Sequence, residues 1–248
     1  MKALTLVTCS YNTPIVLQRC LKSFHITHPG EDHRVLVMEN STGDDTITFL
    51  QQNNINYISN PNMSHGNAVN LAIDRCETTY MLLVDSDVIF KRDTRDMLDQ
   101  AMLLDVTLAG RIEGDRGGKR IHKRVHPWFC LINTDHLKEC NILFNDEQKM
   151  KSNGERDIIY DVGSSMFEEV RAAGLKIAHM NIEGVYFDHW EGLSWYTNKY
   201  NPNPGRTSID FSGTHDDVGL FEHGKRKIST YLNNTKYLDV VDLAGVFV

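Results

Sequence analysis

Two aspartates, Asp85 and Asp87, directly follow the apolar run Tyr80–Val84. Carboxylates at positions i and i+2 can converge on one hard cation, and Mg²⁺ or Mn²⁺ bound in this way usually also holds the phosphates of a substrate. The same residues could instead form a turn whose acidic groups cap a helix. Their position at the end of a buried strand strengthens the metal interpretation, and the turn stays the alternative.

His189 is a second candidate ligand, because imidazole is an accepted ligand of Mn²⁺. It lies in the segment YFDHWEGLSW, between two aromatic residues and just before Glu191-Gly192. A lone histidine is more often an ordinary core or surface residue than a ligand. The segment by itself therefore leaves both interpretations of His189 open.

The first half of the chain alternates between strand and helix patterns. Four short, mostly apolar runs are predicted strands: Ala3–Cys9, Arg34–Met38, Ile55–Ile58 and Tyr80–Val84. Helical spacing of apolar residues follows Pro14, the pair Asp44-Asp45 and Ser64, which are all residues suited to a helix start. Short strands that alternate with helices of about 10 residues predict βαβ units and a parallel sheet with right-handed crossovers.

Polar side chains follow the strand ends at which such a sheet binds ligands. They are Ser10, Tyr11 and Asn12 after the first strand, Glu39, Asn40 and Ser41 after the second, and Asp85, Ser86 and Asp87 after the fourth. The fingerprint GxGxxG and the phosphate loop GxxxxGK(S/T) are both absent from the sequence. Nicotinamide dinucleotide binding and P-loop hydrolysis are therefore poor fits.

The second half has a weaker pattern. Residues 111–126 are basic and without periodicity, which predicts a loop. Further predicted elements are the strands Val125–Asn133, Lys176–Met180 and Gly184–Phe187, the helices Thr134–Cys140 and Asp161–Ala173, the loop Asn145–Arg156 and the turn Tyr200–Gly205. Gly174 is expected just past the end of the second helix. Roughly the last 35 residues show little pattern.

Composition places the chain among ordinary globular proteins. Its 248 residues carry a net charge of −7, with 41% apolar and 24% charged residues. These values exclude a disordered chain, a coiled coil and a collagen-like fibre. No apolar run approaches the roughly 20 residues that span a bilayer, and the start MKALTLVTCSYN predicts a strand and not a signal peptide. Five cysteines without zinc-like spacing predict reduced thiols and a cytoplasmic protein, with peripheral attachment to a membrane left open.

Several segments taken together resemble a known family. The runs LTLVTCSYN, VLVMENSTGDD, NPNMSHGNAVNLAI and YMLLVDSDVIF are similar to the nucleotide-sugar half of an inverting A-type (GT-A) glycosyltransferase of the family 2 kind. The later segments DVGSSMFEEVRAAGLKI and HWEGLSW resemble the acceptor-side helix and metal-binding histidine of that family. The resemblance covers roughly residues 3–90 and 155–195. It implies an α/β fold: one GT-A domain with a Rossmann-like, mostly parallel sheet flanked by helices, and a smaller mixed sheet on the acceptor side.

The resemblance also implies a layout of the site. Residues 1–248 would form one domain, with a nucleotide-sugar half at 1–105 and an acceptor half with a C-terminal segment at 106–248. The implied donor contacts are Thr8, Ser10 and Tyr11 near the base and ribose, Glu39 at the base where the family usually has Asp, Asn67 and Asn70 near the diphosphate, and Asp85 near the ribose or metal. Asp87 would bind Mn²⁺ or Mg²⁺ directly, with Asp85 and His189 completing the protein ligands.

Asp161 is the implied general base, because it occupies the place of the family's acidic pair before the acceptor-side helix. The match is offset by a residue or two, so Asp157 and Glu155 are rivals, and a plain helix cap is the other interpretation of Asp161. A carboxylate within hydrogen-bond reach can take the proton of an attacking hydroxyl. Attack opposite the leaving nucleotide would then invert the anomeric centre.

The expected partners follow from the same resemblance. The donor would be a nucleotide-diphosphate sugar, with a UDP-sugar favoured, and the acceptor a glycan, a lipid-linked sugar or another hydroxyl, with DNA less favoured. The basic stretch Arg116–Arg124 is expected to be a solvated loop, or else to close over the diphosphate or attract an anionic acceptor. A sugar nucleotidyltransferase and a non-catalytic nucleotide-sugar or glycan-binding protein remain as alternatives.

Overall fold

The computed structural model describes residues 4–30, 33–41, 44–114, 121–144, 149–152, 157–200 and 218–243. Its strands are β1 (Leu4–Ser10), β2 (His33–Glu39), β3 (Tyr57–Ser59), β4 (Tyr80–Asp85), β5 (Val88–Phe90), β6 (Leu108–Glu113), β7 (Arg124–Asn133), β8 (Lys149–Ser152), β9 (Asp157–Tyr160), β10 (Ile177–His179) and β11 (Phe187–His189). Its helices are α1 (Pro14–Thr27), α2 (Asp44–Gln52), α3 (His65–Arg75), α4 (Arg95–Leu104), α5 (Thr134–Glu139), α6 (Ser164–Ala172), α7 (Leu193–Tyr200) and α8 (Val218–Asn234). A short 3₁₀ helix follows at Lys236–Val240.

Seven strands form the central sheet, in the order β10-β6-β7-β4-β1-β2-β3. β7 runs antiparallel to both of its neighbours, and all other neighbouring strands of this sheet are parallel. β5 and β11 form a small antiparallel sheet of their own, as do β8 and β9. The predicted α/β class, with a mostly parallel sheet flanked by helices, is confirmed.

The central sheet is covered on both faces, which explains the continuous apolar run of β4. Leu82 belongs to the same apolar cluster as Phe24 of α1, whereas Leu83 belongs to the cluster that contains Val69 of α3. All four side chains are fully buried. Burying an apolar side chain of this size contributes about 1.5–3 kcal/mol, so the two faces of β4 together anchor the sheet.

The predicted loop over residues 111–126 is wrong at both ends. Residues 111–113 complete β6, and residues 124–126 begin β7. The two strands shift register between Gly110 and Ile112. A Cβ on Gly110 would come within 2.7 Å of Val125 Cγ1 and 2.9 Å of the Phe129 carbonyl oxygen, so only glycine allows the strands to approach this closely. Residues 115–120 lie outside the described part of the chain.

Other helix and strand boundaries differ from the predicted ones by a few residues. Helix α6 begins at Ser164, three residues after Asp161, and Gly174 takes the left-handed conformation (φ +73°) expected just past its end. The predicted strand Gly184–Phe187 is displaced toward the C-terminus, to β11. The predicted loop Asn145–Arg156 contains β8, and its remaining residues lie outside the described ranges, as does the turn Tyr200–Gly205 beyond Tyr200. The 17-residue helix α8 lies in the segment for which only a weak pattern was recognised.

Candidate active site

The carboxyl ends of β1, β2 and β4 lie side by side at one edge of the sheet. Ser10 at the end of β1 pairs with Glu39 at the end of β2, and β4 runs parallel on the other side of β1 and ends at Asp85. Thr8, Ser10 and Glu39 are buried, while Tyr11, just past β1, is 48% exposed. This edge therefore has a buried polar floor and an exposed aromatic ring at its rim.

The Glu39 carboxylate takes part in a short chain of hydrogen bonds that connects the loops after β1 and β2. Its Oε1 accepts a hydrogen bond from the Ser41 backbone N–H at 2.6 Å. The Ser41 hydroxyl in turn accepts a hydrogen bond from the Asn12 N–H at 2.7 Å, which joins the loops after β1 and β2. Burial raises the pKa of Glu39, and hydrogen bonding from Ser41 limits that rise.

The structure brings the three predicted metal ligands together. Asp85, Asp87 and His189 each offer a ligand atom, and these atoms lie within 4.8 Å of one another. The antiparallel pairing of β5 with β11 sets His189 opposite Val88, the residue after Asp87. His189 Nε2 lies 3.2 Å from Asp87 Oδ1 and 3.8 Å from Asp85 Oδ2. A contact between residues a hundred positions apart thus depends on one short strand pair.

Asp87 has different surroundings at its two carboxylate oxygens. Oδ2 accepts a hydrogen bond from the backbone N–H of Leu193, the first residue of α7, at 3.2 Å. Oδ1 is buried and faces His189 Nε2, which is also buried. Within the described ranges, neither of these two atoms has a hydrogen-bond partner beyond this mutual contact. Two buried ligand atoms turned toward one point, with a third carboxylate beside them, fit a divalent cation.

The electrostatics of the cluster agree with a cation site. Burial and the neighbouring Asp87 charge raise the pKa of Asp85. Burial alone would lower the pKa of His189, but the Asp87 and Asp85 carboxylates raise it above its usual value. Both shifts show that the cluster attracts positive charge, and a divalent cation would take the place of the protons.

The two asparagines predicted near the diphosphate differ in how much of their side chain is engaged. Asn67 is exposed in the first turn of α3, where its backbone N–H donates to the Ser64 hydroxyl at 3.4 Å. Asn70 forms hydrogen bonds with both polar backbone groups of Phe144. Its Nδ2 donates to the Phe144 carbonyl at 2.9 Å, and its Oδ1 accepts from the Phe144 N–H at 2.7 Å. Asn70 therefore has a structural contact that the sequence did not suggest.

Asp161, the predicted base, precedes α6 and is held by its neighbours. Its Oδ2 forms an ion pair with Nη1 of Arg124 at 2.7 Å, and its Oδ1 accepts the Val162 N–H at 2.8 Å. The Arg124 side chain is only 9% exposed, so this residue of the basic stretch is buried and paired, contrary to the solvated loop predicted there. The rival Asp157 lies in β9, and Glu155 lies outside the described residues.

A cavity of about 530 Å³ opens beside His189. Its described lining residues are Arg111, Glu113, Gly114, His126, Trp128, Glu183, His189 and Glu191. The Trp128 ring stacks on His189, with centroids 4.9 Å apart, and the His126 ring packs against the same indole, with centroids 4.4 Å apart. Glu113 and His126 were not singled out from the sequence: Glu113 falls in the stretch predicted to be a loop, and His126 lies where that stretch meets the predicted strand Val125–Asn133.

Comparisons with solved structures show the fold. The 1–349 chain of S. aureus TarS is 16% identical with a TM-score of 0.53, and the match covers 78% of this chain and 62% of that one. The same chain in complex with UDP-GlcNAc is 16% identical with a TM-score of 0.52, over 99% of this chain and 71% of that one. The mannosyltransferase PcManGT from Pyrobaculum calidifontis, in complex with GDP-Man and Mn²⁺, is 9% identical with a TM-score of 0.53, over 98% and 86%.

These likenesses and the edge-of-sheet site define an α/β protein with the A-type glycosyltransferase fold. The sequence profile of Glycosyl transferase family 2 matches residues 5–162, more than half of the chain, and the protein therefore belongs to that family. Curated proteins give no match. The chain spans less than two thirds of the first TarS structure, at 62% of its length.

None of the helices in the described ranges combines the length and the apolar character needed to cross a bilayer. The basic stretch is described only from residue 121 onward. Lys123 at its end is exposed, in contrast to the buried Arg124 that follows it. The predicted closure of this stretch over a diphosphate therefore stays a prediction.

Proposed function

We propose that this protein is a metal-dependent glycosyltransferase that moves a sugar from a nucleotide-diphosphate sugar to an acceptor hydroxyl with inversion of the anomeric centre. The observation that carries the proposal is the cluster of Asp85, Asp87 and His189 at the ligand-binding edge of the sheet. Membership of Glycosyl transferase family 2 favours sugar transfer over the nucleotidyltransferase alternative.

Asp87 and His189 would hold Mn²⁺ or Mg²⁺ through their buried, mutually facing atoms, with Asp85 as the third protein ligand. When bound, such a cation stabilises the negative charge of the departing nucleoside diphosphate. The N–H of Leu193 fixes the orientation of the Asp87 carboxylate before any ligand arrives. The Mn²⁺ in the complex of the Pyrobaculum calidifontis mannosyltransferase supports a divalent cation here.

The nucleotide would lie across the ends of β1 and β2. Thr8, Ser10 and Glu39 form the buried floor there, and Tyr11 stands exposed at the rim, where it can pack against a base. Asn67 is exposed in the first turn of α3, and the N-terminus of a helix favours the binding of phosphate. The UDP-GlcNAc in the TarS complex supports a UDP-sugar as the favoured donor.

The acceptor half, residues 106–248 in the proposed division, would supply the acceptor site and a carboxylate base. The resemblance assigns the base to Asp161, with Asp157 and Glu155 as rivals. On that assignment, Asp161→Asn is expected to keep nucleotide binding and to lose transfer. The acceptor class stays at a glycan, a lipid-linked sugar or another hydroxyl, with DNA less favoured, and the proposed location is the cytoplasm.

A panel of UDP-sugars and GDP-sugars with Mn²⁺ tests the proposal. Release of UDP or GDP from one donor, lost on chelation and in Asp87→Ala, is the expected result. A control substitution is Asp99→Ala, at an exposed position of α4. Failure to bind UDP or GDP, with or without metal, would overturn the proposal, and binding without release would favour a non-catalytic binding protein.

A further inference from the structure

One peptide group beside the exposed Tyr11 ring is held from two sides. Its carbonyl oxygen, which belongs to Tyr11, accepts a hydrogen bond from Nδ2 of Asn198 in α7 at 2.8 Å. Its N–H, which belongs to Asn12, donates to the Ser41 hydroxyl at 2.7 Å. A distant helix and the loop after β2 therefore engage the two polar atoms of the same peptide group.

The backbone at this peptide group has an unusual conformation. Asn12 has a φ of +53°, in the left-handed region that residues other than glycine rarely adopt. The peptide plane follows the Cα of Tyr11 directly, so its orientation sets the ψ angle of Tyr11. That angle decides how the loop continues from Tyr11 and where the ring stands relative to the edge of the sheet. The two hydrogen bonds to the peptide group thus also fix the place of the ring.

The Asn198 side chain is itself held in a defined position. Its Nδ2 also donates to the carbonyl of Ser194, one turn earlier in α7, at 2.9 Å. A side-chain amide carries two N–H donors, so both hydrogen bonds can exist together. The neighbouring Thr197 is buried, which places this side of α7 against the rest of the protein. The amide of Asn198 is therefore oriented toward Tyr11 before any ligand binds.

Helix α7 contacts the proposed cation site at its other end. The Leu193 N–H donates to Oδ2 of Asp87, and Asn198 lies five residues further along, which is about 7.5 Å of helix. A nucleoside diphosphate carries its base at one end and its phosphates at the other. One helix would thus orient a metal ligand for the phosphates and the exposed ring of Tyr11 for the base.

On the premise of the proposed nucleotide-sugar transfer, we propose that Asn198 is a positioning residue for the nucleobase. It holds the backbone of Tyr11 so that the ring is already placed to pack against the base. Its effect passes through Tyr11, and a contact that is ordered in advance lowers the cost of binding. The sequence did not single out Asn198, because the contact joins residues 187 positions apart.

A double-mutant cycle of Asn198→Ala and Tyr11→Ala tests this role. The ligand is UDP or GDP, whichever the wild type binds more tightly, and calorimetry with Mn²⁺ gives its affinity. We expect Asn198→Ala to weaken binding about 3–10-fold, the effect of one hydrogen bond. In the Tyr11→Ala background the same substitution should cost less than about 2-fold, because no ring remains to be positioned.

A second readout distinguishes positioning from a general loss of structure. The ratio of the affinities with and without Mn²⁺ should be the same in Asn198→Ala as in the wild type, because the hydrogen bond from Leu193 to Asp87 is untouched. Alanine favours helix more than asparagine does, so α7 should persist. Asn198→Leu, close to asparagine in shape but without a donor, should give the same loss of binding.

Asn233→Ala is the matched control, at an exposed position of α8, and should bind the nucleotide as the wild type does. Unchanged binding in Asn198→Ala, an equal loss with and without the Tyr11 ring, or a smaller effect of Mn²⁺ would each overturn the assignment. Failure of the wild-type protein to bind either UDP or GDP would instead refute the proposed function.

Discussion

Leu193 donates its backbone N–H to Oδ2 of Asp87 at 3.2 Å, so helix α7 begins on the carboxylate whose other oxygen faces His189. The start of the helix and the proposed cation site thus share one side chain. Because Oδ2 is held by the backbone, Oδ1 is left at a fixed orientation toward the site. The Asp87 position therefore connects the folding of α7 with the binding of a ligand.

Removing this carboxylate should separate metal-dependent from metal-independent binding. We expect Asp87→Ala to weaken UDP binding in the presence of Mn²⁺ by more than about 100-fold, because a directly bound ligand is lost. Calorimetry with and without chelator measures the difference. Asp99→Ala, exposed on α4, should bind as the wild type does, and an unchanged affinity in Asp87→Ala would contradict the metal site.

The two asparagines of α3 should respond oppositely to substitution by alanine. Asn70→Ala removes both hydrogen bonds to the Phe144 backbone and should lower the free energy of unfolding by about 1–3 kcal/mol. Asn67→Ala, at an exposed position, should leave that free energy unchanged and weaken binding of a UDP-sugar. Urea denaturation and calorimetry on both variants would show it, and equal stability losses would refute the distinction.

His28 should make the protein less stable in mild acid. Burial lowers the pKa of His28 to about 4, although the nearby Asp93 opposes the shift. Its ring stacks on Phe24 and hydrogen-bonds to the Thr94 hydroxyl. An unfolded histidine has a pKa of about 6.5, so between these values the unfolded chain binds more protons, and the stability falls as the pH falls.

The size of this effect can be measured by urea denaturation at pH 7 and pH 5. His28 alone should account for a loss of about 2 kcal/mol over this interval. His28→Gln should lack this part of the loss, and His25→Gln, in the helix α1 that ends just before His28, should retain it. A wild-type loss no larger than that of His28→Gln would show that His28 is not responsible.

The sequence predicted those elements whose pattern is set by local burial. β4 was predicted almost to the residue, because both of its faces are covered and every position from Tyr80 to Val84 is apolar. β6 was missed, since it carries the charged residues Arg111 and Glu113, and since Gly110 interrupts it where a Cβ would clash with β7. Whether such a segment forms a strand depends on pairing with a strand that is distant in the sequence.

Helix α8 shows a second kind of failure. Its buried positions include Phe221, Gly224, Ile228 and Tyr231, which follow helical spacing. The stripe is hard to recognise because Gly224 stands where an apolar side chain is expected. The ring of Tyr196 in α7 fills that space, and a Cβ on Gly224 would come within 2.5 Å of it. The helical pattern was present in the sequence, but at Gly224 the apolar group that fills the stripe comes from Tyr196 of α7.

The candidate site was predictable to the extent that it follows the chain. Asp85 and Asp87 were found from their position after a strand, and their proximity to His189 required the resemblance, because only the pairing of β5 with β11 brings them together. Glu113 had no local signal. The register of β6 and β7 places it at the cavity.

The stacking of Trp128 on His189 gives the protein an optical reporter of the proposed cation site. An indole in contact with a metal ligand changes its emission when the charge and spin state of that ligand's environment change, and Mn²⁺ is paramagnetic. In a chain that also carries Trp190→Phe and Trp195→Phe, the remaining indole fluorescence comes from Trp128 alone. Titration with Mn²⁺ should quench this emission, and adding Asp87→Ala should abolish the response. Occupancy of the site can then be followed by light, before any donor or acceptor has been identified.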